Sequence, residues 1–268
     1  MTARTATIPL DQTTVPVTIT EYGPADASPP VLFLHGGAGP QSFDAFARSF
    51  AETHNARVII PTHPGFAGTE RHPALNTITD LARLYVALLE HERLDNPVVV
   101  GNSVGGWIAA EIAALTSATL SRLVVVDAAG LAVADHPVPD VFALDFGQIA
   151  ELSYADPDRF RVDPTTLPPA VRAAMAAGMQ ALHDYAGAEM ADPTLTDRLA
   201  KITVPTLVVW GDHDRMIDPE IGKAYAASIP GARFELISDT GHLPQLEAPR
   251  TFAALLGDFI AAPEGSRR

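Results

Sequence analysis

Residues 97–109 read Pro-Val-Val-Val-Gly-Asn-Ser-Val-Gly-Gly-Trp-Ile-Ala. Pro97–Val100 is a short, continuous apolar run of the kind found in strands covered on both faces. A helical apolar pattern begins at Val104 and runs to Leu115. Between them, Gly101-Asn102-Ser103-Val104-Gly105 is G-x-S-x-G in the setting that gives the motif meaning: strand, sharp turn, helix. A serine at such a turn sits at a strained backbone angle, where side chains two residues to either side would clash. The turn pushes the Ser103 hydroxyl outward and leaves the Val104 amide at a helix N-terminus. A glycine-rich turn with an incidental serine would read the same over five residues, so the surrounding chain decides.

Outward from this stretch, strand-like runs recur at Val15–Thr20, Val31–Leu34, Arg57–Ile60, Leu123–Val126, Thr206–Trp210 and Phe234–Ile237. Apolar stripes at helical spacing lie between them: Phe43, Phe46 and Phe50, then Ile78, Leu81, Tyr85 and Leu88, and finally Phe252, Leu255, Leu256 and Phe259. Thr77 with Asp80 forms a candidate capping box. Strand followed by helix, repeated, predicts an α/β fold with a doubly wound, mostly parallel sheet. The alternation fails over Ala134–Asp197, which is rich in proline, alanine and methionine and offers no strand. A structureless loop of that length is rare in a compact domain, so a helical insertion is expected. The predicted organisation is a core of residues 1–133 and 198–268 with a helical cap at 134–197.

The composition fits this picture and narrows the chemistry. At 268 residues and 47% hydrophobic, the chain can bury a sizeable core. Its 18 basic against 32 acidic residues give a formal charge of −14, a field that repels phosphate backbones, so no nucleic-acid partner is expected. The absence of cysteine removes thiolate nucleophiles, disulfides and Cys-ligated zinc, and fits a cytoplasmic chain. No H-x-x-x-H or clustered carboxylate–histidine pattern calls for a metal. The first residues lack the apolar core of a signal peptide, and no apolar run is long enough for a membrane span. The final residues, AAPEGSRR, read as a solvated tail.

Three further segments carry reactive side chains. His35-Gly36-Gly37-Ala38-Gly39 follows the Val31–Leu34 run and can aim a backbone amide, that of Gly37, at the point reached by the Val104 amide. Two such donors make an oxyanion hole; His35 itself reads as a turn residue that hydrogen-bonds the loop. Gly211-Asp212-His213-Asp214 ends one strand, and Asp239-Thr240-Gly241-His242 follows the next. Serine, acid and histidine thus occur in that order, each beyond the C-terminal end of a strand, where open α/β sheets collect their ligand chemistry. A serine needs a base to accept its proton, and the base needs a carboxylate to hold its tautomer.

With HGG at 35–37, PGFAGT at 64–69, GNSVGG at 101–106, WGDHD at 210–214 and GHLPQLEAP at 241–249, the chain resembles the α/β-hydrolase superfamily over nearly its whole length. The resemblance implies Ser103 as nucleophile, Asp214 as acid and His242 as base, with a helical cap after the sixth strand. Asp127, at the end of the Leu123–Val126 run, is the alternative acid, because some relatives place theirs there. Asp212 and Asp218 read as turn caps or surface charge, and His213 as an exposed turn residue. His63 could line the pocket, whereas His54, His72, His91, His136 and His183 lack evident partners. Trp107, Phe142, Phe146, Tyr154, Met175 and Met179 are candidate wall residues.

The chain departs from the superfamily pattern at Thr62, where many relatives carry aspartate, at Pro64, where most carry arginine, and at HGGAG, which prolyl aminopeptidases write as HGGPG. The expected activity is that of a cofactor-free serine hydrolase acting on a small, mainly apolar ester, lactone or thioester. Hydrolysis of a carbon–carbon bond in a β-diketone or ring-cleavage product is the enzymatic alternative. A ligand receptor on a retired hydrolase scaffold is the alternative of another class. Epoxide hydrolysis and dehalogenation are disfavoured, since those relatives carry aspartate where Ser103 stands.

Overall fold

The computed structural model describes residues 1–263; the tail expected at AAPEGSRR lies mostly outside them. The chain opens with a hairpin, β1 (Thr2–Leu10) and β2 (Thr13–Tyr22). It continues through β3 (Val31–Leu34), α1 (Gln41–His54), β4 (Val58–Pro61), α2 (Ile78–His91), β5 (Val98–Asn102), α3 (Val104–Thr116) and β6 (Arg122–Val126). Then come α4 (Phe146–Ser153), α5 (Pro157–Phe160), α6 (Pro169–Ala186) and α7 (Leu195–Leu199). The chain closes with β7 (Thr206–Gly211), α8 (Pro219–Ser228), β8 (Arg233–Ile237), α9 (Pro244–Glu247) and α10 (Pro249–Ala261).

The strands form an eight-stranded sheet in the order β1-β2-β4-β3-β5-β6-β7-β8. From β4 to β8 neighbouring strands are parallel, while β2 runs antiparallel to both β1 and β4. The continuous apolar runs have a direct cause: alternate residues serve opposite faces. Leu32, Leu34, Val99 and Val125 pack toward α2, α3 and α8, whereas Val31, Phe33, Val98 and Val124 pack toward α1 and α10. On the second face Phe33 stacks on Phe43 at 5.0 Å, and Phe46 stacks on Phe252 at 4.9 Å.

Strand β1 was not anticipated from the sequence. Only Ala6 and Ile8 of it are buried, so its apolar signal is two residues long. It is held by pairing with β2 and by Arg4, which bonds both Glu21 and Glu92. The Thr77–Asp80 capping box at the start of α2 is present in both directions. Helix α3 is buried nearly all round; its one charge, Glu111, is 1% exposed and receives Arg198 of α7 and the Trp107 indole. A buried carboxylate needs such a partner.

Between β6 and β7 the chain forms helices and no strand, its pairing limited to bridges at Gly130–Ala191 and Val133–His136. Proline stands in the first turn of both α5 and α6, where its missing N–H costs nothing. No helix among the described residues is long and apolar enough to cross a membrane.

Candidate active site

Four loops at the C-terminal edge of the sheet build the site. The first is the turn from β5 into α3. Ser103 has φ +59° and ψ −125°, a left-handed backbone rare for any residue with a side chain. Its amide donates to Val126 O at 2.9 Å, and its carbonyl receives Gly106 N at 2.9 Å, so both neighbours over-determine the strained geometry. The flanking glycines are required by close approach. A Cβ at Gly101 would lie 2.0 Å from Gly105 O, and one at Gly105 would lie 2.1 Å from Leu34 O. Val104, first in α3, carries an amide with no helical acceptor.

The loop after β3 runs directly past the serine: a Cβ at Gly36 would stand 2.7 Å from Ser103 Cβ and 3.4 Å from its Oγ. Next in line, Gly37 lies under Leu182 of α6, 3.2 Å from where its Cβ would be. What fixes this loop is a buried network. His35 Nδ1–H donates to Gly36 O at 2.8 Å, and its Nε2 accepts from the His63 amide at 3.0 Å. His63 Nε2–H donates to His35 O at 2.8 Å, while its Nδ1 accepts the Tyr85 hydroxyl at 2.5 Å. Each ring therefore donates once and accepts once, as a neutral tautomer. Burial lowers both histidines, His63 to about 4 and His35 well below its usual range. His35 is the loop-bonding residue that was expected. His63, a candidate pocket residue in the sequence, is instead fully buried as a strut; its signal was its place in a sharp THPGF turn opposite Tyr85 of the next helix.

Asp214 follows β7, with its side chain fully buried. Its Oδ1 accepts the amides of Met216 and Ile217 at 2.8 and 2.9 Å, and its Oδ2 accepts His242 Nδ1–H at 2.8 Å. With the proton on Nδ1, the His242 Nε2 carries the basic lone pair. His242 and the serine turn are tied through Asn102, whose Nδ2 donates to His242 O at 2.9 Å and whose Oδ1 accepts Gln245 Nε2 at 3.1 Å. This residue, the first "x" of the motif, was not singled out in the sequence. On the other side, the His242 amide donates to Ser153 O at 2.6 Å, and Glu247 receives the amides of Ala155 and Gly241. Burial raises the Glu247 carboxyl despite these donors.

The remaining candidates separate cleanly. Asp127 is buried beside Asp214 but bonds the Gly211 amide, not His242. Asp218 caps α8, and Asp212 pairs with the exposed His213. Contrary to expectation, several other histidines have partners: His136 meets Asp218 at 3.1 Å, His54 stacks on Phe50, and His183 meets Phe142 edge-on. Among the wall candidates, Trp107 is core packing against Gly130, and Phe146 is 43% exposed. Around the loops stand Leu182, Ala181 and Gly178 of α6, with Tyr185 donating to Pro64 O at 3.0 Å.

Among the described residues, Asp127, Asp214 and His242 are the grouping whose donor atoms converge within 4.8 Å, as a metal site would require. Asp214 has spent both oxygens, and His242 Nδ1 is committed to it. With those atoms already bonded, the set does not fit a cation. A strained serine at a helix start, a histidine bonded through Nδ1 to a buried carboxylate and a glycine loop alongside thus share one edge of the sheet.

Residues 31–255 match the alpha/beta hydrolase family, and the chain belongs to it. It is similar to Lipase 3 of Moraxella sp., 29% identical over 254 residues that cover 89% of this chain and 78% of that one. It is similar also to a 2-hydroxy-6-oxononadienedioate/2-hydroxy-6-oxononatrienedioate hydrolase of Cupriavidus pinatubonensis, at 27% identity with 86% of each chain covered. A thermophilic esterase from Thermogutta terrifontis shares the fold, with a TM-score of 0.75, 23% identity and coverage of 97% of this chain and 98% of that one. Together these relatives support a hydrolase.

Proposed function

We propose that this chain is a cofactor-free serine hydrolase that cleaves a small, mainly apolar carboxylic ester, lactone or thioester through an acyl-enzyme. The observation that carries it is the bonded Asp214–His242 pair anchored through Asn102 to the strained Ser103 turn. His242 Nε2 takes the Ser103 proton as Oγ attacks the carbonyl carbon. The amides of Gly37 and Val104 receive the oxyanion. His242 then protonates the leaving group, and a water activated by the same nitrogen releases the acid. The helices over 134–197 act as the cap, with Leu182 and Ala181 favouring an apolar acyl group. A small-molecule substrate in the cytoplasm, with no nucleic-acid or membrane partner, completes the reading.

Fluorophosphonate labelling with a p-nitrophenyl ester panel tests this. The label should map to Ser103, and Ser103→Ala should lose more than about 10³-fold in turnover with the fold intact. Wild-type turnover in a folded Ser103→Ala protein refutes it. The Cupriavidus relative supports a second reading, hydrolysis of a carbon–carbon bond in a ring-cleavage product. Turnover of a vinylogous β-diketone exceeding that of every ester in the panel would favour it.

A further inference from the structure

Asp127 is a buried titratable group that the proposed reaction leaves unused, and one of its oxygens has no partner. It follows β6 directly, is fully buried and has φ +44°. Its Oδ1 accepts the Gly211 amide at 2.8 Å. Its Oδ2 is buried with no donor. The group beside it is Asp214, which is itself an acceptor at both oxygens: two amides fill Oδ1, and His242 Nδ1–H fills Oδ2. Oxygens of both aspartates and a ring nitrogen of His242 lie within 4.8 Å of one another. Two ionised carboxylates in a buried space repel, and an unpaired buried charge is expensive. The other charged group acting on Asp127 is Glu247, also acidic. One proton between the two aspartates resolves both the orphaned oxygen and the repulsion.

We propose that Asp127 is a carboxylic acid, its O–H donating to the Asp214 carboxylate, and that it serves as a positioning residue for the acid that orients His242. The proposal rests on Asp214 having that role. As a neutral donor, Asp127 holds the Asp214 carboxylate against the His242 ring without adding a second negative charge there. Burial and the Asp214 charge hold its carboxyl well above the usual carboxylate range. Asparagine reproduces this arrangement, because Nδ2 can donate to Asp214 and Oδ1 can accept from Gly211. Alanine cannot.

The test compares wild type with Asp127→Asn and Asp127→Ala. Infrared spectra of the folded wild-type protein at pH 7 should show a protonated carboxyl band that shifts on ¹³C-aspartate labelling; Asp127→Asn should lack it. The unfolded aspartate ionises above its ordinary value of 3.8, whereas the folded one keeps its proton. Wild type therefore loses stability relative to Asp127→Asn as pH rises above about 5, the ratio of unfolding constants changing by up to about tenfold per pH unit until the folded carboxyl itself ionises. With p-nitrophenyl butyrate, Asp127→Asn should stay within about threefold of wild type and leave the acidic limb of kcat/KM in place, while Asp127→Ala falls further. No aspartic acid band, or parallel unfolding profiles, overturns the proposal. So does an acidic limb displaced downward by about a unit in Asp127→Asn, since that marks the loss of a negative charge beside His242. The infrared and unfolding arms need no turnover, so they decide Asp127 even if Ser103→Ala stays active and the hydrolase reading fails.

Discussion

His63→Gln isolates the strut beneath the glycine loop. His63 is fully buried and titrates near 4 when folded, against 6.5 in an unfolded chain. Between those values the unfolded chain binds a proton that the folded protein refuses. The stability that neutral His63 contributes is fully present above pH 6.5 and drains away as pH falls toward 4. At about 1.4 kcal/mol for each pH unit, the loss comes to about 3 kcal/mol over the window. Glutamine can still donate to His35 O and accept from Tyr85, but it does not titrate. At pH 7 the variant should be weaker by about 1–3 kcal/mol, the cost of imperfectly remade buried hydrogen bonds. Urea melts at matched ionic strength from pH 7.5 to 4 measure both effects. Wild type should lose about 3 kcal/mol more than the variant over that range, closing the gap between them or reversing it. Two profiles that stay parallel would refute a neutral, buried His63.

Other outcomes follow from the same geometry. Asp214→Asn should reduce kcat/KM by a factor on the order of 10⁴, because the amide favours the wrong tautomer of His242; an Asp127→Asn loss of equal size would move the acid to β6. Leu182→Ala, above Gly37, should widen the acyl preference in an ester chain-length panel, with KM changing more than kcat, and an unchanged panel would remove α6 from the binding site. Incubation with EDTA should leave activity intact; loss restored by a divalent ion would contradict the two-amide oxyanion hole.

Much of this architecture was legible because it is written in local patterns. The parallel strands are short apolar runs, since both faces of the sheet are covered, and α2 announces its start with Thr77 and Asp80. The candidate site residues stood out in the sequence because glycines and charged turns punctuate strand ends. Strand β1 escaped notice since its partner, not its own composition, makes it a strand; two buried side chains in nine residues carry little signal. The His35–His63–Tyr85 network and the Asn102–Gln245 link were equally silent. Their members are separated by 22 to 143 residues, and nothing in one segment reveals the donor waiting in another.

The bond from the His242 amide to Ser153 O, at the last turn of α4, has a mechanical consequence. The same stretch of chain takes two further grips, with Arg215 N on Leu152 O and Ala155 N on Glu247. The end of α4 therefore hangs from the loops that carry His242 and Asp214. Any displacement of α4 would withdraw an acceptor from the His242 backbone, so the place of this helix and the place of that imidazole are mechanically coupled.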